Sequence, residues 1–332
     1  MHVALICDFP LRTLAGALQL PPETGFATPI ENLVTGFLDS TIPQRLSVVS
    51  VKKTLKRDAV IKFSPSLSLY LLRAPRFSGM PVAFLPRVAR IGHLLRRLKP
   101  DLVHGQGTER ENAIAAVRSG FPSLVTVHGI LREVHEVTKP PTLSANRVGR
   151  LTEDYVFNKV LNVIAISRYA EQSLARYTRA SIFRISNAVS EIYFAAQRRK
   201  TEPKFMFVGS VYPLKGVLDF VRATQLLDRA GYAARIVIVG PVHNERYFQE
   251  ICREAHFRNC QFQYAGLQSP SWIAKQFENT LALVHPSHAE NAPMAVAEAL
   301  ASGVPVIGTG VGAIPEWIHS GKNGWVVPVQ DV

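Results

Sequence analysis

Short, nearly uninterrupted apolar runs recur along this chain, separated by stretches with helical spacing. Parallel sheets built from βαβ units require that alternation. In the first half the runs are HVALIC (2–7), LSVVSV (46–51), DLVH (101–104), SLVTV (123–127), NVIAIS (162–167) and IFRI (182–185). Helical patterns lie between them at 29–39, 86–98, 109–118 and 145–160. A second series starts at KFMFVG (204–209) and continues through RIVIVG (235–240), CQFQY (260–264), LALVH (281–285) and VPVIGT (304–309). Between the series, AAQRRKTEP (195–203) is polar and ends in proline, and is read as the junction. Residues 53–85 follow neither period and are assigned no element. A length of 332 residues suits two α/β domains better than one. The expectation is an α/β protein with Rossmann-like domains at 1–195 and 203–332.

Composition narrows the class. With 47% apolar and 19% charged residues the chain is globular with sizeable cores. No apolar run reaches the length of a membrane span. The N-terminus, MHVALICDFP, lacks a basic n-region and a small-residue cleavage site, and reads as a buried strand. Cys7, Cys252 and Cys260 are scattered and in no metal spacing, which points to a reducing, cytoplasmic compartment. The formal charge of +13 is concentrated in Lys52, Lys53, Lys56 and Arg57, and in Arg87, Arg90, Arg96, Arg97 and Lys99. The second set lies on a helical pattern whose apolar side is Val88, Ile91, Leu94, Leu95 and Leu98. Such a helix either lies on an anionic membrane surface or packs on a sheet with its charges solvated. Nucleic acid is excluded as a partner, because no binding motif and no aromatic interleaving accompany the basic residues.

The chemistry concentrates in HPSHAENAPMAVAEALASGVPVIGT (285–309). Glu290 and Glu298 stand with seven residues between them, one before a helix and one inside it. Pro293 suits the first helical position, Gly303 the residue after the last turn, and Pro305 stops continuation. MAVAEALAS is apolar on nearly every face and should be buried. A carboxylate there needs hydrogen-bond donors, so Glu298 is read as facing a cleft filled by a hydroxyl-rich ligand. The backbone opening the helix, around Asn291, Ala292, Pro293 and Met294, welcomes an anion.

The stretch resembles the signature of retaining nucleotide-sugar glycosyltransferases of family 4, in which two glutamates seven residues apart precede A-x-G-x-P-V. The resemblance implies the GT-B fold, two Rossmann-like domains facing each other across a cleft. It implies that Glu290 binds the donor sugar and Glu298 the ribose. In GSVYPLKG (209–216), which resembles the family's G-R-x-x-x-x-K-G, Lys215 would hold the leaving diphosphate. The family's arginine position is Ser210 here, a departure that removes one phosphate donor. Gly25, before a helix capped by Thr28 and opened by Pro29, stands where the family has a glycine-rich loop at the donor phosphates. TVHG (126–129) resembles the family's strand-end histidine, which makes His128 a polar contact at the reacting centre. His104, ending the neighbouring strand, is read as structural. IAIS (164–167), ISNAV (185–189), VGAIPEW (311–317) and GKNGWVV (321–327) extend the resemblance over nearly the whole chain.

Asp-x-Asp, with which glycosyltransferases of the other main fold hold a metal, does not occur. The implied reaction is therefore metal-independent and needs no cofactor: a nucleotide-diphosphate sugar donates to a glycan or a lipid-linked acceptor. Two rivals remain. A catalytically weak sugar-nucleotide-binding homologue is motivated by Ser210 and by the chain's end. A nicotinamide oxidoreductase would need G-x-G-x-x-G after the first strand, where this chain has CDFPLRTLAG. Family members usually continue past GWVVPVQDV into helices that cross back to the first domain. With the last residue at Val332, that clasp is expected to be missing, leaving an apolar patch and a free hinge.

Overall fold

The computed structural model describes residues 1–10, 28–38, 44–79, 84–138, 145–199 and 202–331. They form two compact units, Met1–Ala188 and Val189–Val332. The junction therefore lies before the polar stretch at 195–203 that the sequence suggested. The reason is Tyr193, which is 1% exposed and packs into the second unit's core, so the chain has already changed units when it becomes polar.

The first unit carries strands β1 (His2–Ile6), β2 (Arg45–Lys52), β3 (Ala59–Lys62), β4 (Leu67–Arg73), β5 (Leu102–Gln106), β6 (Ser123–Val127), β7 (Asn162–Ala165) and β8 (Ser181–Arg184). Their order is β3-β4-β2-β1-β5-β6-β7-β8, parallel except for β3, which pairs antiparallel with β4. Helices α1 (Thr28–Leu38), α2 (Leu85–Leu98), α3 (Glu111–Val117), α4 (Leu131–Thr138), α5 (Ala145–Lys159) and α6 (Arg168–Leu174) connect them. Residues 53–85, which the periodicity left without elements, hold the β3–β4 pair. These edge strands carry exposed positions such as Val60 and Phe63 beside buried Leu67, Leu69 and Leu71, which blurs the period-2 signal.

Alternation along β1 shows how one strand serves two cores: Ala4 and Ile6 join one, Val3, Leu5 and Cys7 the other. Helix α2 inserts Val88, Ile91 and Leu95 into the first. Its basic side is not uniformly solvated. Arg87 is buried and donates to Glu111 of α3 at 2.9 and 3.2 Å and to Ser78 at 3.1 Å. Arg90 reaches Asp58 at 2.6 Å.

The second unit begins with α7 (Glu191–Phe194) and contains β9 (Lys204–Val208), α8 (Val217–Arg229), β10 (Arg235–Val239), α9 (Glu245–Glu254) and β11 (Gln261–Gly266). It continues through α10 (Pro270–Phe277), β12 (Ala282–His285), α11 (Met294–Ala301), β13 (Val306–Thr309), α12 (Ile314–Trp317) and β14 (Gly324–Val327). All strands are parallel, in the order β11-β10-β9-β12-β13-β14. Met206 and Val208 of β9 face one core while Phe205 and Phe207 face the other.

Both sheets therefore wind outward from a central strand and then restart on its other side, at β1/β5 and at β9/β12. The connections leaving such a switch point diverge and leave a crevice at the carboxyl ends of the strands. No helix among the described residues is long and apolar enough to cross a membrane.

The Arg87–Glu111 pair joins α2 to α3 with both side chains about 95% buried. Glu111→Ala strands a buried guanidinium and should cost the first unit about 3–5 kcal/mol. Arg87→Met combined with Glu111→Leu should recover most of that loss; both are read from denaturant unfolding.

Candidate functional site

At the β9/β12 switch point the two loops that leave the sheet touch. Gly216 sits at φ 63°, and a Cβ there would lie 2.0 Å from the Pro286 carbonyl oxygen. Only glycine fits both that backbone and that approach. His288 N–H donates to the Leu214 carbonyl at 2.8 Å, and the His288 ring meets Asp219 of α8 at 2.7 Å.

This stitching brings Lys215 and Glu290 together. The lysine ammonium donates directly to Glu290 Oε1. The same oxygen lies 2.8 Å from His285 Nε2 and 2.9 Å from Ser287 Oγ. Both side chains are mostly buried, Lys215 at 18% exposure and Glu290 at 10%. Burial opposes ionisation of Glu290, but the His285 hydrogen bond and the Lys215 charge outweigh it and bring the carboxyl down to about 2. His285 and Ser287 escaped the sequence reading. The available signal was a histidine ending β12 and a serine two residues beyond it, three to five residues before a glutamate already singled out.

His285 stacks on Phe207 with ring centroids 6.1 Å apart and planes 15° apart. A carboxylate can only accept, so Nε2 carries the ring proton, and the buried Nδ1 has no hydrogen-bond partner.

Asn291, Ala292, Pro293 and Met294 follow on a pinned backbone. The Asn291 carbonyl accepts from Ala313 N–H at 2.7 Å. A Cβ on Gly312 would meet the Glu290 and Asn291 carbonyls at 2.6 Å. Pro293 is the N-cap (φ −69°, ψ 117°), not the first helical residue, so α11 starts at Met294. Val296, Glu298 and Ala299 are its buried positions, and the rest are half-buried.

Glu298 is 4% exposed, lies under Tyr193 and accepts from the tyrosine hydroxyl, and its Oε1 is buried without a partner. Burial pushes its carboxyl up to about 7, with the Tyr193 hydrogen bond opposing the rise. Ser210 lies half-buried in the loop after β9. Gly25 lies outside the described residues.

His128 belongs to the other unit, at the end of β6. Its Nε2 donates to Gln106 Oε1 at 2.7 Å, Gln106 Nε2 donates to His104 Nε2 at 3.1 Å, and Thr126 Oγ1 meets the same nitrogen at 2.8 Å. Burial lowers both imidazoles to about 4, so the chain is neutral at pH 7. His104 is a structural link, as its place in the sequence suggested.

Comparison with known proteins fits this architecture. The family "Glycosyltransferase Family 4" matches residues 54–191 and "Glycosyl transferases group 1" matches residues 189–332. An uncharacterised glycosyltransferase of Methanocaldococcus jannaschii is 30% identical over 129 residues, 38% of this chain and 32% of that protein. The match thus spans about a third of that relative's length. A second uncharacterised glycosyltransferase of that organism is 22% identical over 320 residues, 95% of this chain and 83% of that protein. Among solved structures, sucrose-phosphate synthase from Thermosynechococcus elongatus superposes with a TM-score of 0.76 at 18% identity, covering 100% of this chain and 86% of the other. The chain belongs to the family 4 glycosyltransferases, and its two parallel-sheet units are those of the GT-B fold.

The two glutamates should titrate in opposite senses. Glu298, raised to about 7, burdens the folded state increasingly as pH climbs from its unfolded value near 4.5 through 7. Glu298→Gln should leave stability unchanged at pH 4 and raise it by up to about 3 kcal/mol at pH 8. Glu290, lowered to about 2, stabilises above 4.5 and loses that contribution as pH falls to 2. Glu290→Gln should therefore cost stability at pH 7 and little at pH 2. Urea unfolding across pH measures both.

Proposed function

We propose that this chain transfers a sugar from a nucleoside-diphosphate donor to a hydroxyl of a glycan or lipid-linked acceptor, with retention and without a metal ion. The observation that carries the reading is the Lys215–Glu290 contact at the β9/β12 switch point. A cation and an ionised carboxylate in one mostly buried site serve two parts of one substrate. Lys215 Nζ meets the charge that builds on the departing diphosphate, and Glu290 accepts from hydroxyls of the transferred sugar. The buried Oε1 of Glu298 lacks a donor, and a ribose hydroxyl supplies one.

Retention follows if the incoming hydroxyl attacks the face the diphosphate leaves. The leaving phosphate then takes the hydroxyl proton, and no protein nucleophile is required. The protein's contribution is placed positive charge and alignment of two substrates. Ser210 brings no charge where the family pattern has arginine, so Lys215 carries that duty with backbone N–H groups. The free thiols Cys7, Cys252 and Cys260 suit a cytoplasmic enzyme, and the exposed basic residues suit work at an anionic membrane surface.

A second reading, a weak or inactive sugar-nucleotide binder, is favoured by Ser210 and by Lys215 already engaging Glu290. Hydrolysis of UDP-, GDP- and ADP-sugars without acceptor separates the two, since a pure binder releases no nucleoside diphosphate.

Lys215→Ala should lower the rate about a hundredfold or more. Glu298→Ala should weaken nucleoside-diphosphate binding by about 1–3 kcal/mol. Glu290→Gln should depress turnover while leaving that binding nearly intact. Calorimetry with the free nucleotide alongside turnover decides the assignment; equal losses of binding in both glutamate variants would contradict it.

A further inference from the structure

Glu290 Oε1 receives more donors than it needs. Lys215, His285 and Ser287 all converge on that one oxygen, which offers two lone pairs. One donor can therefore leave without stripping the carboxylate of its partners, and the three differ in how firmly they are held. His285 ends β12, where it pairs in register with Gly308 of β13, and its side chain is 3% exposed. Its ring lies against Phe207, which is fully buried. Ser287 is also fully buried, its carbonyl accepts from the Thr309 hydroxyl, and its Oγ lies 3.2 Å from His285 Nε2. The ring keeps this orientation although Nδ1 is left buried without a partner, a cost that the Nε2 bond to a charged acceptor offsets.

Lys215 is the adjustable donor. It extends from the short turn Pro213–Lys215 on a flexible four-carbon stem, with 18% of its side chain exposed. A diphosphate carries more negative charge than one carboxylate and competes for its ammonium. Once Lys215 turns to such a ligand, Glu290 is a mostly buried charge without a cation. Left alone, it would draw the lysine back or take up a proton. Either outcome spoils one half of the site, since a protonated carboxyl is a poorer acceptor for sugar hydroxyls.

We propose that His285 is a positioning residue for transfer: its Nε2–H, backed by the Ser287 hydroxyl, holds the Glu290 carboxylate in place while Lys215 passes to the diphosphate of the donor. The ammonium has two partners in succession, and the carboxylate keeps one geometry throughout. This deepens the glycosyl-transfer reading and rests on it for the identity of the ligand. His285 acts through Glu290 rather than on the substrate. Lys215, from the loop after β9, and His285, from β12, are the titratable groups acting on that carboxyl.

The first arm of the test needs no nucleotide. The Glu290 carboxyl is titrated in the full chain by carbon-13 NMR on labelled glutamate, its signal assigned by its loss in Glu290→Gln. In Lys215→Met the midpoint should stay below the ordinary 4.5, because His285 and Ser287 still donate. Adding His285→Phe, which keeps a ring beside Phe207 but has no donor, should lift it above 4.5. His285→Gln in the same background, whose amide can donate, should bring it back. Recovery by a residue that cannot stack sets the hydrogen bond apart from packing. A midpoint above 4.5 in Lys215→Met alone, or no movement with His285→Phe, would overturn the proposal. Should the phenylalanine variant not fold, the Lys215→Met midpoint still decides, since a lysine acting as sole anchor would carry it upward.

The second arm adds UDP, GDP and ADP with Lys215 intact, using calorimetry at pH 6 in two buffers of different ionisation enthalpy. His285→Phe should bind the nucleotide about tenfold more weakly than the wild type and take up more protons on binding, and His285→Gln should restore both. Equal affinity and equal proton uptake in His285→Phe and the wild type would sink the hand-over. If none of the three nucleotides binds while the carboxyl titrates as expected, the donor reading falls and His285 stands as the anchor of Glu290.

Discussion

The Pro286 carbonyl oxygen occupies the space where a side chain at position 216 would begin. That steric fact lets the loops after β9 and β12 close on each other, and the arrangement of the second unit's site depends on it. Lys215 lies one residue before the contact and Glu290 four residues beyond Pro286. With the loops apart, each would be a solvated surface charge contributing little. With the loops in contact, Lys215, His285 and Ser287 converge on one carboxylate oxygen in a mostly buried setting. Electrostatic interactions are stronger there than at an open surface.

The two glutamates of the motif have been given opposite electrostatics by their neighbours. Glu290 is surrounded by donors and stays ionised; Glu298 is buried with one tyrosine hydroxyl donating to it, and resists ionisation. A residue can be tuned in either direction by burial alone or by burial plus charge, and groups shifted this strongly concentrate at functional sites. The unpartnered Oε1 of Glu298 and Nδ1 of His285 are buried acceptors without donors, an expense that a folded protein rarely carries.

The same winding recurs in the first unit with different contents. There Asp8, just past β1, accepts from Lys52 and Arg110, and the same unit carries the buried Arg87–Glu111 bridge. Topology thus supplies two crevices of one kind, and the side chains decide what each can hold. In the second unit they gather a lysine and a carboxylate; in the first they set Asp8 between two cations and link His128, Gln106 and His104 by hydrogen bonds.

The sequence by itself determined the alternating elements and the spacing of Glu290 and Glu298. It also determined the position of Lys215, because apolar periodicity, glycine and proline are local properties of the chain. The β3–β4 pair was lost to it, since edge strands with exposed apolar residues break the alternation. Only the tertiary structure decided that Tyr193 belongs to the second unit and covers Glu298. That contact joins residues more than a hundred positions apart and leaves no periodic trace. Likewise, His285 is an ordinary strand-end residue until Phe207 stacks on it and Glu290 folds back to it. Arg87 reads as a solvated charge until α3 brings Glu111 against it. Spacing along a chain reports which groups a fold will present, whereas ionisation, burial and partnership depend on what packs against them from elsewhere.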